Sequence, residues 1–196
     1  MPKPEILELD DNHVYRLRPS GTIVPGVSEV INSVFPFNGG GLVVQRASDF
    51  GTAVHKAIEL NIKGQLNWGT VDDSILPYIK QADMALSELD VITTRSQIEC
   101  MLYSKKYMFA GRIDLVENYV IDWKSGHKSP VHRVKTAAYR HLWNANNTKD
   151  KKKVSLTIYL NGEDERPEIV YEKPSDFNTF LSCLEIYNFK KKENLK

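Results

Sequence analysis

Residues 111–126 read GRIDLVENYVIDWKSG, and they constrain the fold more than any other stretch. Two runs of branched and apolar residues flank Glu117-Asn118-Tyr119, yet Asp114, Asp122 and Lys124 interrupt them with charges that strand interiors seldom carry. Side chains two apart in a strand share a face, so Asp122 and Lys124 point one way, Ile121 and Trp123 the other. By the same parity Asp114 shares a face with Arg112 and Val116, opposite Ile113 and Leu115. A hairpin loop from Glu117 to Tyr119 pairs Val116 with Val120, Leu115 with Ile121 and Ile113 with Trp123, and sets Asp114 directly across from Asp122. A two-residue turn at Glu117-Asn118 would put the aspartates on opposite faces, because a one-residue slip inverts a strand. The apolar alternation selects the odd-numbered loop.

That register has a chemical consequence. Two carboxylates side by side in a largely dry cleft repel each other unless a cation or a proton lies between them. A hard divalent ion takes oxygen ligands and keeps several waters, so the two aspartates and a nearby backbone carbonyl suit it and leave room for phosphate oxygens. Lys124, two residues from one ligand, can orient or deprotonate an attacking water and offset charge building on phosphorus. Phosphodiester hydrolysis fits this set. Taken alone, a DxK triplet reads as a solvated cross-strand charge cluster, so the rest of the chain has to carry the argument.

Residues 1–25 read as an extended lead-in punctuated by Pro and Gly, with a strand near Val14–Leu17. VSEVINSVF has short helical spacing, and FNGGG breaks the chain. From Leu42 to about Lys63, Val43, Ala47, Phe50, Val54, Ala57 and Ile58 recur at helical intervals, which predicts a long helix carrying Gly51, His55 and Glu59 four apart. SILPYIKQADMALSELD predicts a second helix with Pro77 in its first turn. TTRSQIECMLYS, YMFAGRIDLV and YVIDWKS predict three adjacent strands. Ser129 and Pro130 then open a helix striped by Val131, Val134, Ala138 and Leu142. VSLTIYL alternates as a strand with one apolar face, PEIVYE follows a polar turn, and a final helix starts near Ser175. The terminal run from residue 190 to 196 reads as a frayed basic tail.

At 196 residues the chain suits a single domain with a real core, and a net charge of +1 confines any DNA-binding charge to a local patch. Cys100 and Cys183 cannot supply an iron–sulfur cluster or a four-cysteine zinc site. No GKT or GKS phosphate loop suggests a nucleotide cofactor. The N-terminus is too acidic and too broken for a signal peptide, and no apolar run reaches membrane-spanning length. The expectation is a cytoplasmic protein without a membrane partner.

The ordered set GTAVHKAIE, QIEC, GRIDLV, VIDWKSG and KTAAY, preceded by VPGVSEVI, resembles the PD-(D/E)XK nuclease superfamily. The likeness is to RecB-type nuclease domains, the mitochondrial genome maintenance exonuclease and related phage exonucleases, and it spans about Val24 to Tyr139. It implies an α/β fold with a restriction-endonuclease-like core: a central mixed β-sheet carrying the catalytic hairpin, flanked by helices. It implies that Asp114 and Asp122 bind Mg2+ or Mn2+ with the backbone carbonyl of Trp123, that Lys124 positions the nucleophilic water, and that His55 reaches the metal from its helix. Glu99 would ligate metal through water or hold Lys124. Glu59 would orient the imidazole or simply face solvent. The family's Q-x-x-x-Y appears here as Lys135 to Tyr139; the spacing keeps both on one helical face while the amide is lost, leaving lysine to meet phosphate as a point charge.

From Lys124 to Lys153 nine Lys or Arg stand against one acid, Asp150. Arg133, Lys135, Arg140 and the KDKKK run at 149–153 are candidate phosphate contacts, with binding expected to weaken in salt. Arg112 falls opposite Lys124 in the expected register, a repulsion that an anionic ligand would relieve. Tyr107 and Tyr139 could stack on bases of a single strand. The expected activity is a metal-dependent DNA exonuclease acting on single- or double-stranded DNA with a free end, alongside replication or recombination proteins, in a host cytoplasm if phage-encoded. The alternatives are an endonuclease of the same fold and a non-catalytic DNA-binding recombination partner.

Overall fold

The computed structural model describes residues 5–36, 41–163 and 166–195. Three short strands come first: β1 (Ile6–Leu9), β2 (Tyr15–Arg18) and β3 (Ile23–Val24). β2 falls where a strand was expected near Val14–Leu17, and the three strands pair into a separate antiparallel sheet, which the expected lead-in did not include. Asp10 builds the β1–β2 turn, its Oδ1 accepting from the amides of Asn12 and Val14 at 2.9 Å each. Helix α1 (Val27–Asn32) follows, then α2 (Leu42–Ile62) and α3 (Leu76–Glu88), the latter with Pro77 in its first turn. The expected break at FNGGG lies outside the described residues except for Gly41.

The branched and aromatic runs then pair as β4 (Gln97–Ser104), β5 (Phe109–Val116) and β6 (Val120–Lys124). Helix α4 (Pro130–Asn146) crosses to β7 (Ser155–Tyr159), which lies parallel to β6; β8 (Glu168–Tyr171) and α5 (Asp176–Lys192) complete the chain. The five strands stand in chain order, antiparallel except at β6–β7. The fold is therefore α/β, a central mixed sheet that carries the hairpin and is flanked by helices. Among the described residues no helix is long and apolar enough to cross a membrane.

Each sheet face has its own apolar layer. Val134, Ala138 and Leu142 of α4 pack with α1, α5, Phe109 and Ile113. Val54 and Ile58 of α2 pack with α3, Leu115, Ile121 and Trp123. The expected stripe of α2 holds from Phe50 onward, but Ala47 is exposed because the first turns project beyond the core; the side chain of Val43 lies outside the description. Strand β7 departs from simple alternation: Ser155 and Thr157 are buried as well, since neighbouring strands and helices cover both faces. The basic C-terminus is also more ordered than expected. α5 runs to Lys192, and Lys190 Nζ donates to the carbonyl of Ser33 at 3.0 Å, docking α5 on the end of α1.

The hairpin register is the expected one over its apolar part, with Val116 opposite Val120 and Leu115 opposite Ile121, and Glu117 N donating to Tyr119 O at 3.1 Å across the loop. The ladder stops there. Ile113 packs on the α4 side while Leu115 packs on the α2 side, so the face alternation breaks at Asp114 and the expected Ile113–Trp123 pair does not form. The same level of β4 is irregular: Glu99 has φ 55°, and neither Glu99 nor Asp114 joins a ladder that pairs Ile98 with Leu115 and Cys100 with Ile113. A non-glycine residue in the left-handed region costs about 1–3 kcal/mol, and such strain concentrates where a side chain must be aimed.

Gly111 permits the approach of α4 to β5. A Cβ there would lie 2.6 Å from Cε1 of Tyr139, inside any tolerable carbon contact. Gly111→Ala should therefore lower unfolding stability by about 1–3 kcal/mol, read as a reduced urea midpoint at unchanged slope. Tyr139→Phe should not rescue it, because the clash is with ring carbons and not with the hydroxyl.

Candidate active site

The irregular level of the sheet opens a gap between β5 and β6, and Asp114 fills it. Its Oδ2 accepts from the Trp123 backbone amide at 2.9 Å, replacing the ladder bond that the diverging strands no longer make. His55 arrives from α2, with Nδ1 3.4 Å from the same Oδ2. His55 lies four positions after Gly51 on α2, so the helix passes the strand ends with its small and imidazole side chains on the sheet side.

Asp122 is fully buried, at 0% exposure, and its surroundings are cationic. Lys124 faces Oδ2, and Lys135 Nζ stands 2.9 Å from Oδ1. Neither oxygen has an aligned hydrogen bond, so these are charge contacts. Burial works to raise the Asp122 pKa, but the two ammonium groups outweigh it and hold the carboxyl far below its ordinary range. The lysines differ from each other. Burial, only partly offset by Asp122, pulls the Lys124 pKa down, and the charge of Lys135 adds to that effect. For Lys135 burial acts in the same sense, but Asp122, Tyr139 and Asp114 prevail and hold it well above the ordinary lysine value.

The structure thus brings Asp114, Asp122, Lys124 and His55 to one place, and assigns several expected partners differently. Glu99 does not hold Lys124; it bonds Arg112, with Nε 2.7 Å from its Oε2. Arg112 is accordingly not stacked against Lys124, because the ladder ends before reaching them. The Trp123 carbonyl accepts from Lys124 Nζ at 3.0 Å. Glu59 does not reach His55, being held by Lys56 at 2.8 Å and Lys63 at 2.5 Å. Among the described residues no three His, Cys, Asp or Glu side chains converge closely enough to hold a metal ion. The donor chemistry, two carboxylates with an imidazole and a carbonyl, still suits a hard divalent cation. Lys124 and Lys135 both stand against Asp122.

The expected basic face of α4 is divided. Lys135 and Tyr139 point to the cleft, Tyr139 buried with Lys135 Nζ 5.2 Å from its ring centre. Arg133 and Arg140, seven apart, point elsewhere and are spent on the structure: Arg133 Nε lies 3.1 Å from Asp176 Oδ2, and Arg140 pairs with Glu172. Two residues along a helix is about 200° of rotation, so Arg133 and Lys135 cannot share a face. In the KDKKK loop Trp143 Nε1 donates to the Asp150 carbonyl at 2.7 Å and Lys152 pairs with Asp150, while Lys149, Lys151 and Lys153 are exposed. Tyr107, half-buried, packs edge-on against His141 and Phe177.

Sequence reasoning missed one wall of the cleft. The β1–β2 turn and α1 bring His13, Tyr15, Ser28 and Glu29 to a cavity of about 420 Å³ that also borders His55, Arg112 and Asp114. Pro25 O accepts from Ala110 N at 2.9 Å and stitches this wall to β5. The DDNH cluster between two short alternating runs was the available hairpin signal. A second cavity of about 410 Å³ lies on the α2 side, bordered by His55, Glu99, Arg112, Asp114, Lys124 and Lys135.

No protein-family model and no curated protein matches this sequence. Among solved structures the chain is similar to one from Eubacterium rectale described as a "Putative exonuclease", at 10% identity and a TM-score of 0.47, covering 80% of this chain and 69% of that one.

Glu99 supplies a pH test of this geometry. Burial first, then the charge of Asp114, raises its pKa to about 7 against the opposing pull of Arg112. A carboxyl with a raised folded pKa contributes stability that is whole below its unfolded value and is lost as pH climbs through the folded one. Wild type should therefore lose up to about 3 kcal/mol relative to Glu99→Gln between pH 4.5 and 7.5. Urea unfolding of both proteins across that range, in chelator, reads the difference.

Proposed function

We propose that this chain is a metal-dependent DNA exonuclease of the PD-(D/E)XK type, hydrolysing phosphodiester bonds from DNA ends in recombination, repair or replication. The observation that carries the reading is the convergence of Asp114, Asp122, Lys124 and His55 around a broken level of the sheet, at the border of an open cleft. Mg2+ or Mn2+ held by Asp114 and Asp122, with His55 and the Trp123 carbonyl as further donors, would supply Lewis acidity and an activated water.

The remaining roles belong to the chain itself. Lys124, whose pKa is depressed, is suited to take a proton from a water beside the scissile phosphate. Arg112, half exposed and paired with Glu99, borders the cleft and would meet a phosphate there. Lys135 and Tyr139 line the same cleft from α4. Arg133 and Arg140 have no part in this scheme.

One observation favours a second reading. Two ammonium groups already balance Asp122, which is what a non-catalytic DNA-binding module with the same scaffold would show. Linear and covalently closed DNA, single- and double-stranded and labelled, incubated with Mg2+ or Mn2+, separates the possibilities. The exonuclease reading expects wild type to degrade linear DNA and spare circles, with Lys124→Ala slower by about 10²–10⁴-fold. Cleavage of circles identifies an endonuclease instead. Binding without any metal-dependent cleavage identifies the binding module.

A further inference from the structure

Lys135 sits where three cavities meet, of about 420, 470 and 410 Å³. Its side chain is 20% exposed while its partner Asp122 is fully buried, and their 2.9 Å contact is the inner end of that junction. The Lys135 ammonium lies 5.2 Å from the centre of the Tyr139 ring, and that ring packs on the bare backbone of Gly111 in β5. Lys124 has a second acceptor in the Trp123 carbonyl, 3.0 Å away. Among the described residues the ion pair of Lys135 is with Asp122. An ammonium group that faces a buried carboxylate without an aligned hydrogen bond is acting as a plain positive charge.

We propose that Lys135 is a resident counter-cation of the carboxylate pair, covering Oδ1 of Asp122 so that a divalent ion binds only when the Lys135 ammonium swings into the adjoining cleft. The inference rests on the nuclease reading above and adds a property to it, a metal site that is deliberately weak while Lys135 is on Asp122. The physical basis is charge. A divalent ion and an ammonium a few Å apart repel strongly in a site of reduced dielectric, and each stabilises the same carboxylate. A flexible four-carbon stem at a three-way junction of cavities gives the ammonium somewhere to go.

Mn2+ binding measured by calorimetry and by paramagnetic resonance on the full chain tests this without reference to activity. Lys135→Gln and Lys135→Met should each bind Mn2+ about tenfold or more tightly than wild type, and Lys135→Arg should bind like wild type. On wild type alone, Mg2+ titration followed by ¹⁵N resonances of the lysine ammonium groups should shift the Lys135 signal, assigned by its loss in Lys135→Arg, toward that of solvated lysines. If wild type binds Mn2+, Asp122→Asn abolishes binding, and the neutral variants bind no more tightly, the counter-cation is overturned and the nuclease reading stands. If neither wild type nor any Lys135 variant binds Mn2+, both fall together. The Lys135 resonance keeps the inference open to refutation even where a neutral variant fails to fold: a signal that does not move at saturating Mg2+ overturns it.

Discussion

A carboxylate with no access to water organises the centre of this molecule. Burying an isolated ion costs several kcal/mol after relaxation, and that cost is tolerable only where opposite charge is brought to it. Asp122 meets the requirement with one lysine from its own strand and one from the following helix. The contact of Asp122 with Lys135 therefore ties β6 to α4. Everything that lets α4 descend to the sheet, above all the absence of a side chain at Gly111 beneath Tyr139, serves that neutralisation.

The second constraint is the broken level of the sheet. Asp114 and Glu99 face each other across β4 and β5 without ladder bonds, and Glu99 adopts a conformation that non-glycine residues avoid. A regular ladder would have placed Asp114 squarely opposite Asp122, carboxylate against carboxylate. The break turns Asp114 edge-on instead, satisfied by the Trp123 amide and approached by His55 from α2. The strain and the site thus have one origin: strands that part just where acidic side chains need separate environments. Arg112, released from the ladder partner that register alone would assign, takes Glu99 and stays at the cleft.

Charge that looks concentrated along the chain is dispersed in space. Asp176 and Glu172, far outside the basic segment in sequence, come back through β8 and α5 to take Arg133 and Arg140, and Glu168 takes Lys128. Acids of the C-terminal third thereby take three cations of the middle third, while Lys149, Lys151 and Lys153 stay exposed. What stays at the cleft is a small set, Arg112, Lys124 and Lys135, each already facing a carboxylate. Any anion brought to this cleft would have to compete with those carboxylates.

Much of the architecture was legible from residues 42 to 192 as a string of letters. Alternation and helical spacing are local properties, so the three middle strands, the odd-numbered hairpin loop, α2 with His55, and α4 opening at Ser129 could be read from neighbours alone. The convergence of Asp114, Asp122, Lys124 and His55 followed from that periodicity and from the resemblance it exposed. Three things needed the folded chain: the break at Asp114, the N-terminal wall carrying His13 and Tyr15, and the pairing of each cation. The break and the ion pairs have no local signature, and the DDNH hairpin signal does not say where the wall docks. The break reflects how two strands diverge when packed between helices on both faces, the wall depends on a contact between Pro25 and Ala110, and ion pairs form between residues that only tertiary packing makes neighbours. Sequence determined which charges the site could draw on; long-range packing decided which of them face one another.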